Sequence, residues 1–180
     1  MIKRILHYTR VWYHLLLSNE KKHSIVWEYL KKYHTEERLN SGFFENEKRI
    51  ESDFKITDDY HARFLYALHQ GVLYSRCKII KDFDPELTTE IFLLATHFNN
   101  LLKYGKVIIE PSERTVEFAI DSSMTEYLVY PGALQQVTIM HYETTKDVYW
   151  AFQKLINEQI EPAIIIADLI RAKDKSKNIL

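Results

Sequence analysis

The first candidates for chemistry are the acidic residues of the segment KYGKVIIEPSERTVEFAID, residues 103–121, which are Glu110, Glu113, Glu117 and Asp121. General acid–base catalysis needs at least one carboxyl group that is desolvated in a cleft and has a shifted pKa. Apolar residues alternate along the second half of the segment, at Val116, Phe118 and Ile120. This alternation indicates a strand with one buried face, and Glu117 and Asp121 then point to the other face. We therefore predict solvent-exposed acids and no catalytic carboxylate pair.

Histidine, cysteine and glycine give no recognisable metal, nucleophile or phosphate motif. The eight histidines contain no HExxH pair, and we expect His97 and His141 at the margins of apolar helix stripes. The single cysteine, Cys77, falls on the apolar face of its strand, where a thiol is inert. There is no GxSxG, P-loop or GxGxxG sequence among only four glycines. We predict no catalytic residue, no metal and no cofactor, and a site assembled from residues distant in sequence stays open.

A surface that combines basic and aromatic residues is the best candidate for binding. The segment HARFLYALHQGVLYSRCKII, residues 61–80, reads as two strands around a two-residue turn at Gln70-Gly71. This register predicts one apolar face and an opposite face that carries Arg63, Leu65, Tyr74, Arg76 and Lys78. Such a face can hold a protein segment, or stack bases and contact phosphates. It can also be a solvated face whose cations pair across strands with acids such as Glu117.

Length and composition are those of one ordinary globular domain. The chain has 180 residues, a formal net charge of −1 and a sequence pI of about 6.7, which gives no general attraction to nucleic acid or anionic lipid. One cysteine excludes an internal disulfide and suits a reducing compartment. The N-terminal segment lacks the uninterrupted apolar region of a signal peptide, and no apolar run reaches about 18 residues. We predict a cytoplasmic protein without a transmembrane segment.

Changes in hydrophobic period divide the chain into helices and strands. We predict an N-terminal helical extension at residues 1–18, a single α+β domain at 19–173 and a polar tail at 174–180. The domain begins with a helix to about Leu39, and later elements follow in the order three-strand meander, helix 84–104, hairpin 106–121, short strand 127–130, long helix from 131 and a last helix 163–172. The helix over 2–17, with Tyr8 and Trp12 beside basic residues, can lie on a membrane surface or pack on protein.

The fold class that follows is α+β, with a mostly antiparallel sheet and long helices packed on one face. The segments GVLYSRCKI, FDPELTTEIFLLATHFNNLLKYGKVIIE and RTVEFAID, together with residues 131–157, resemble the YbjN-type (sensory transduction regulator) family and the type III secretion chaperone-like fold. The resemblance covers roughly residues 20–160. It implies a small, often dimeric protein that binds other proteins and has no established active-site residues.

The functional prediction combines this resemblance with the absence of catalytic motifs. We expect a non-enzymatic protein-binding or chaperone-like adaptor that docks a partner segment on the exposed sheet face or on a helix surface. We also expect a homodimer. Two alternatives stay open: a small enzyme whose site is assembled from distant His, Glu and Tyr residues, and a nucleic-acid-binding module that uses the basic and aromatic sheet face.

Overall fold

The computed structural model describes residues 11–14, 16–130 and 132–177 of the chain. Five α-helices and six β-strands follow one another in the order α1 (Asn19–Glu36), β1 (Ser41–Phe44), β2 (Arg49–Lys55), β3 (His61–His69), β4 (Val72–Ile80), α2 (Thr88–Leu101), β5 (Lys106–Glu110), β6 (Thr115–Ser123), α3 (Met124–Val129), α4 (Ala133–Glu158) and α5 (Pro162–Lys177). A 3₁₀ turn at Pro85–Leu87 precedes α2. Residues 11–14 and 16 are also helical.

The six strands form one antiparallel sheet in the order β1-β2-β3-β4-β6-β5. The predicted α+β class is therefore confirmed. The meander contains four strands rather than the predicted three, because β1 precedes the predicted first strand. The sequence predicts a helix to about Leu39 and no strand at Ser41–Phe44.

The turn between β3 and β4 fixes the register as the sequence predicted. Gln70 and Gly71 both have positive φ angles, 46° and 85°, as a type I′ turn requires. Phe64 then faces Cys77, and Leu68 faces Leu73. Most of the apolar residues of this hairpin therefore lie on one buried face of the sheet, and Leu65 lies on the other face.

Short polar residues and one glycine set the ends of several elements. The Ser18 side chain accepts a hydrogen bond from the Lys21 amide at the start of α1, and Asp84 accepts one from Glu86 before α2. Gly105 connects α2 to β5 with φ at 78°, and a Cβ there would lie 2.7 Å from the Ala119 carbonyl oxygen. Only glycine fits this close approach between the loop and β6.

The helices cover one face of the sheet, which we call the covered face. Helix α4 contacts β4 and β6, and α2 contacts β5, α4 and α5. The covered face and the helices supply the fully buried large side chains, which are Trp27, Leu30, Ile50, Phe64, Tyr66, Leu73, Ile91, Leu94, Phe118, Tyr127, Leu128 and Phe152. Burial alternates along β3 and β4, so the opposite face stays partly exposed.

One predicted element is wrong, and another ends later than predicted. Residues 127–130 form no strand, since Met124–Val129 is a helix that begins when the Ser123 side chain accepts a hydrogen bond from the Thr125 amide. The spacing of three and four residues between Met124, Tyr127 and Leu128 buries all three, so tertiary packing outweighs the strand propensity of this segment. The last helix continues to Lys177, beyond the predicted end at residue 172.

The predicted N-terminal helix, 2–17, falls mainly outside the described residues, and so do its two alternative roles. The last three residues of the predicted polar tail, 178–180, also lie outside them. Among the helices that the structure describes, none combines the length and the apolar content that crossing a membrane requires.

Candidate partner-binding face

The five residues predicted for partner binding lie together on the uncovered side of the sheet. Arg63 and Leu65 project from β3, and Tyr74, Arg76 and Lys78 project from β4. Leu65 is directly opposite Arg76 in the hairpin. No described helix packs over these side chains, which are exposed or half-buried. We call this surface the open face and include in it Glu51 and Asp53 of β2 and Glu117 and Asp121 of β6.

The cations of the open face are paired with carboxylates of neighbouring strands and of the turn between β5 and β6. Arg76 Nε lies 3.2 Å from a carboxylate oxygen of Glu117, and a terminal nitrogen of Arg76 lies 2.5 Å from Asp121. The Lys78 ammonium lies 2.8 Å from Glu113. Arg63 Nε lies 3.2 Å from Asp53. The structure therefore shows the cross-strand pairing that the sequence allowed for this face.

Arg76 is the centre of this network. Only 21% of its side chain and 27% of that of Glu117 are exposed. Its guanidinium also donates to the carbonyl oxygens of Ser75 and Ile120 and lies over the Tyr74 ring, 5.2 Å from the centroid. Donors of a guanidinium that are satisfied in several directions hold the group rigidly.

Glu117 is less exposed than the sequence predicted. Burial raises the pKa of its carboxyl group, while Arg76 and Lys78 act in the opposite direction. At the turn, by contrast, a hydrogen bond from the Ser112 hydroxyl lowers the pKa of the exposed Glu110. The predicted placement of Glu117 and Asp121 opposite the apolar face is confirmed, but Glu117 is half-buried among its neighbours.

An open cavity of about 850 Å³ lies at one end of the open face. Four of the predicted residues line it: Arg63, Leu65, Arg76 and Lys78. Its wall continues to Tyr60 and Tyr149, whose rings stack with centroids 4.4 Å apart. The Tyr60 hydroxyl donates to the Ile79 carbonyl oxygen, and burial raises the pKa of Tyr60 to about 12. The cavity therefore combines fixed charges of both signs with a flat aromatic surface.

Two basic side chains in the cavity wall are available for a ligand. Lys81 and His61 line the cavity and make no ion pair with any carboxylate of the described chain. The carboxylates of Asp82 and Asp84 lie in the same wall. Within the described ranges, no group of three or more His, Cys, Asp or Glu residues has a geometry that could hold a metal ion.

The polar cluster on the covered face was not predicted from the sequence. His34 is completely buried, and its Nδ1 atom lies 3.0 Å from Ser41 Oγ and 2.9 Å from Ser52 Oγ. The two hydroxyl oxygens are 2.6 Å apart. Burial lowers the pKa of His34 to about 4. The helical spacing of His34 from Leu30 and Trp27 was the available signal, since it places the imidazole on the buried stripe of α1.

His141 does not lie at the margin of its helix stripe as predicted. It is fully buried, with ring centroids 4.9 Å from Phe64 and 5.3 Å from Phe118. Its Nε2 lies 3.4 Å from the Phe118 carbonyl oxygen. Burial is the main reason that the pKa of His141 falls to about 4. A neutral imidazole in this position packs as an aromatic ring with one polar contact.

Cys77 occupies the covered face, as predicted. Its side chain is fully buried, and burial raises the pKa of the thiol to about 12. A thiol that is protonated and inaccessible at neutral pH is a poor nucleophile.

Comparisons with protein-family models, with curated proteins and with solved structures found no match to this chain. The resemblance to the YbjN-type family therefore stays a prediction.

Proposed function

We propose that this protein is a non-enzymatic, homodimeric adaptor of the cytoplasm that binds a segment of another protein on its open face. The observation that carries the proposal is the cavity of about 850 Å³, because four of the five residues singled out in the sequence line it. The cavity offers charges of both signs beside Leu65 and the stacked rings of Tyr60 and Tyr149. These groups suit a peptide segment that carries both an apolar side chain and polar or charged groups.

The arrangement of charge favours a protein segment over nucleic acid. Binding of a phosphate backbone depends on cations that are free to replace counterions. Here Arg63, Arg76 and Lys78 already lie within ion-pair distance of carboxylates, which leaves Lys81 and His61 as the unpaired basic residues of the cavity wall among the described residues. A polyanion would have to displace these acids and would be repelled by them. A segment with both charges can instead extend the existing pattern of pairs.

A small enzyme is a second candidate because of Glu117. The pKa of this carboxyl group is raised by burial, and the group lies in the wall of the cavity with Tyr60 and His61. Shifted carboxyl groups in clefts are typical of acid–base sites. The contact between Glu117 and Arg76, at 3.2 Å, favours the ionised carboxylate and a structural role.

Site-specific photo-crosslinking tests the adaptor proposal. A photoreactive benzoyl-phenylalanine replaces Leu65 in the protein expressed in its native cells, and the same residue replaces Leu93 on the exposed side of α2 as the control. We expect one defined protein adduct from position 65 that position 93 does not give. Nuclease treatment should leave this adduct unchanged.

Charge reversal sharpens the test. The double substitution Arg63→Glu and Lys78→Glu removes two exposed cations of the open face without touching the covered face. We expect the adduct at position 65 to decrease at least fivefold while the far-ultraviolet circular dichroism stays unchanged. An adduct that disappears with nuclease, or no protein adduct at any level of expression, would overturn the proposal.

A further inference from the structure

Strand β1 has backbone groups on its outer side that pair with no other described residue. The Asp53 amide donates to the Asn40 carbonyl oxygen at 3.2 Å, which fixes the alternation of hydrogen bonds between β1 and β2. In an antiparallel pair every second residue bonds to the partner strand. Gly42 therefore points its N–H and C=O groups to β2, whereas Ser41 and Phe43 point theirs away from the sheet. In the part of the chain that the structure describes, no strand lies on that side.

The other edge of the sheet is partly closed by a side chain. The Asn99 carboxamide donates to the Val107 carbonyl oxygen at 3.0 Å and accepts from the Val107 amide at 2.7 Å. It therefore occupies both outward groups of Val107 in the manner of a neighbouring strand. Charged Lys106 and Glu110 bound β5, and Pro111 follows it. Such charges and prolines are what proteins use to prevent edge pairing.

Strand β1 has none of these protections except its short length. Its four residues, SGFF, include no charged residue and no proline. Phe43 and Phe44 are 40% and 37% exposed, so the strand presents two adjacent aromatic residues to solvent. The contrast with β5 indicates an edge that is suited to pairing.

Side chains of α1 and β2 also hold strand β1 in position. Ser41 Oγ lies within hydrogen-bond distance of His34 and Ser52, and the Arg49 guanidinium lies 4.2 Å from the centre of the Phe44 ring. A strand fixed in its extended conformation loses little conformational entropy when a second strand adds to it.

We propose that two copies of this chain pair antiparallel through β1, about a twofold axis at Gly42. In this register Ser41 of each copy faces Phe43 of the other, so that all four outward N–H groups and all four outward C=O groups are satisfied. Gly42 faces Gly42 of the partner in a pair without hydrogen bonds, where Cα atoms approach to about 4.5 Å. The absence of charge in β1 means that the symmetric pairing brings no like charges together within the strand.

The pairing deepens the proposed function because it joins the two open faces into one surface. Residues that face each other across an antiparallel pair project to the same side of a sheet. The two cavities therefore lie on the same side of a continuous twelve-stranded sheet, and one partner with two binding segments can occupy both. The inference takes the homodimer from the proposed function, but its tests are independent of any bound partner.

A disulfide at the axis tests the register directly. In Gly42→Cys the new Cβ meets only ring atoms of Phe44, at 3.5 and 3.8 Å, which are ordinary contacts. The expected Cα separation of about 4.5 Å lies inside the range for a disulfide. The only native thiol, Cys77, is buried and contributes no background. We expect mild oxidation of Gly42→Cys to give a covalent dimer that a reductant reverses.

The matched control is Phe44→Cys, on the same side of the same strand but two residues from the axis. We expect at least tenfold less covalent dimer from this variant. A covalent dimer of equal yield from Phe44→Cys would overturn the proposed register. The pairing itself would be overturned if Gly42→Cys gave no covalent dimer and sedimentation showed the mass of a monomer. The sedimentation is measured at about 100 μM protein, a concentration at which weak association is detectable.

A proline substitution tests the backbone contribution. Phe43→Pro removes an outward N–H group, while Phe43→Ala removes the same ring and keeps that group. We expect Phe43→Pro to raise the dimer dissociation constant at least tenfold relative to Phe43→Ala, as measured by analytical ultracentrifugation. Equal dissociation constants for the two variants would contradict strand pairing. Photo-crosslinking from position 65 distinguishes this failure from a failure of partner binding, because the open face is intact in both variants.

Discussion

The two faces of the sheet contain polar groups in different chemical forms. On the covered face the polar residues are neutral, and His34, His141 and Ser52 are buried together with aromatic rings. On the open face the polar residues are charged, and Arg76 is paired with Glu117 and Asp121. Both faces belong to the same strands, so the difference comes from the side chains and from the helices that cover only one side.

This comparison shows how each face satisfies its polar groups. Charged groups are too costly to bury deeply, so the histidines of the covered face stay neutral through a lowered pKa. At the half-exposed open face, ion pairs keep their charge because water and opposite charges share the solvation. We therefore expect the covered face to contribute more to stability than the open face, where we propose that a partner binds.

The largest expected difference in the free energy of unfolding is between truncations of two adjacent residues on β3. Phe64 is fully buried, whereas its neighbour Leu65 projects from the open face. We expect Phe64→Ala to lower the free energy of unfolding by about 3–5 kcal/mol, since it leaves a cavity under α4. Leu65→Ala should cost less than about 1 kcal/mol. Urea denaturation of both variants at neutral pH measures the difference, and equal losses would contradict the assignment of the two faces.

Acid should destabilise the protein through the covered face. The folded-state pKa values of His34 and His141, about 4, lie below the ordinary value of 6.5 that applies in the unfolded chain. Between these values the unfolded state binds protons that the folded state does not, so stability falls as the pH decreases from 6.5 toward 4. The loss is roughly 3 kcal/mol for each histidine at the lower limit. Urea denaturation at several pH values measures it.

Substitution of one histidine identifies the source of this acid sensitivity. His141→Leu keeps an apolar side chain in the core and removes one titrating group. We expect its stability to fall about half as steeply between pH 6.5 and 4.5 as that of the original chain. The control is His97→Leu on α2, where the side chain is only half-buried. An unchanged pH dependence in His141→Leu would show that His141 does not contribute to the acid sensitivity.

Local patterns in the sequence predicted most of the covered face. The turn at Gln70-Gly71 and the alternation along β3 and β4 fixed the register of the central hairpin, because both signals lie within 20 residues. Asp84 and Pro85 marked the start of the turn that leads into α2 for the same local reason. The fold class followed from the order of these elements.

The remaining features depend on contacts between distant residues. Strand β1 is short and lacks alternation, and the three residues that anchor it, His34, Ser41 and Ser52, come from three different elements. The ion pairs of Arg76 depend on the pairing of β4 with β6 in the sheet. A helix and β5 separate these two strands in the sequence, so no local pattern predicts the pairing. The five candidate residues could be predicted because they belong to one hairpin, but the shape of their cavity could not.

The ion-pair network around Arg76 should contribute less to the free energy of unfolding than the packing of the covered face does. Arg76→Met keeps the aliphatic stem of the side chain and removes the guanidinium that pairs with Glu117 and Asp121. We expect a loss of about 1–2 kcal/mol at pH 7, because a half-buried carboxylate then lacks its cation. The pKa of Glu117, already raised by burial, should increase further. Carboxyl-carbon NMR titration measures this increase, and an unchanged value would exclude Arg76 as the partner that stabilises the carboxylate.

The smallest effect is expected at the exposed end of the same network. Lys78 and Glu113 are 2.8 Å apart, but 40% and 61% of their side chains are exposed. Exposed pairs of this kind contribute little, so Lys78→Ala should change the free energy of unfolding by less than about 0.5 kcal/mol. Any difference should vanish at about 1 M salt, where the Debye length is about 3 Å. A loss above about 1 kcal/mol that persists in salt would mean that Lys78 stabilises the fold. The expected difference in stability between the covered face and the open face would then be wrong.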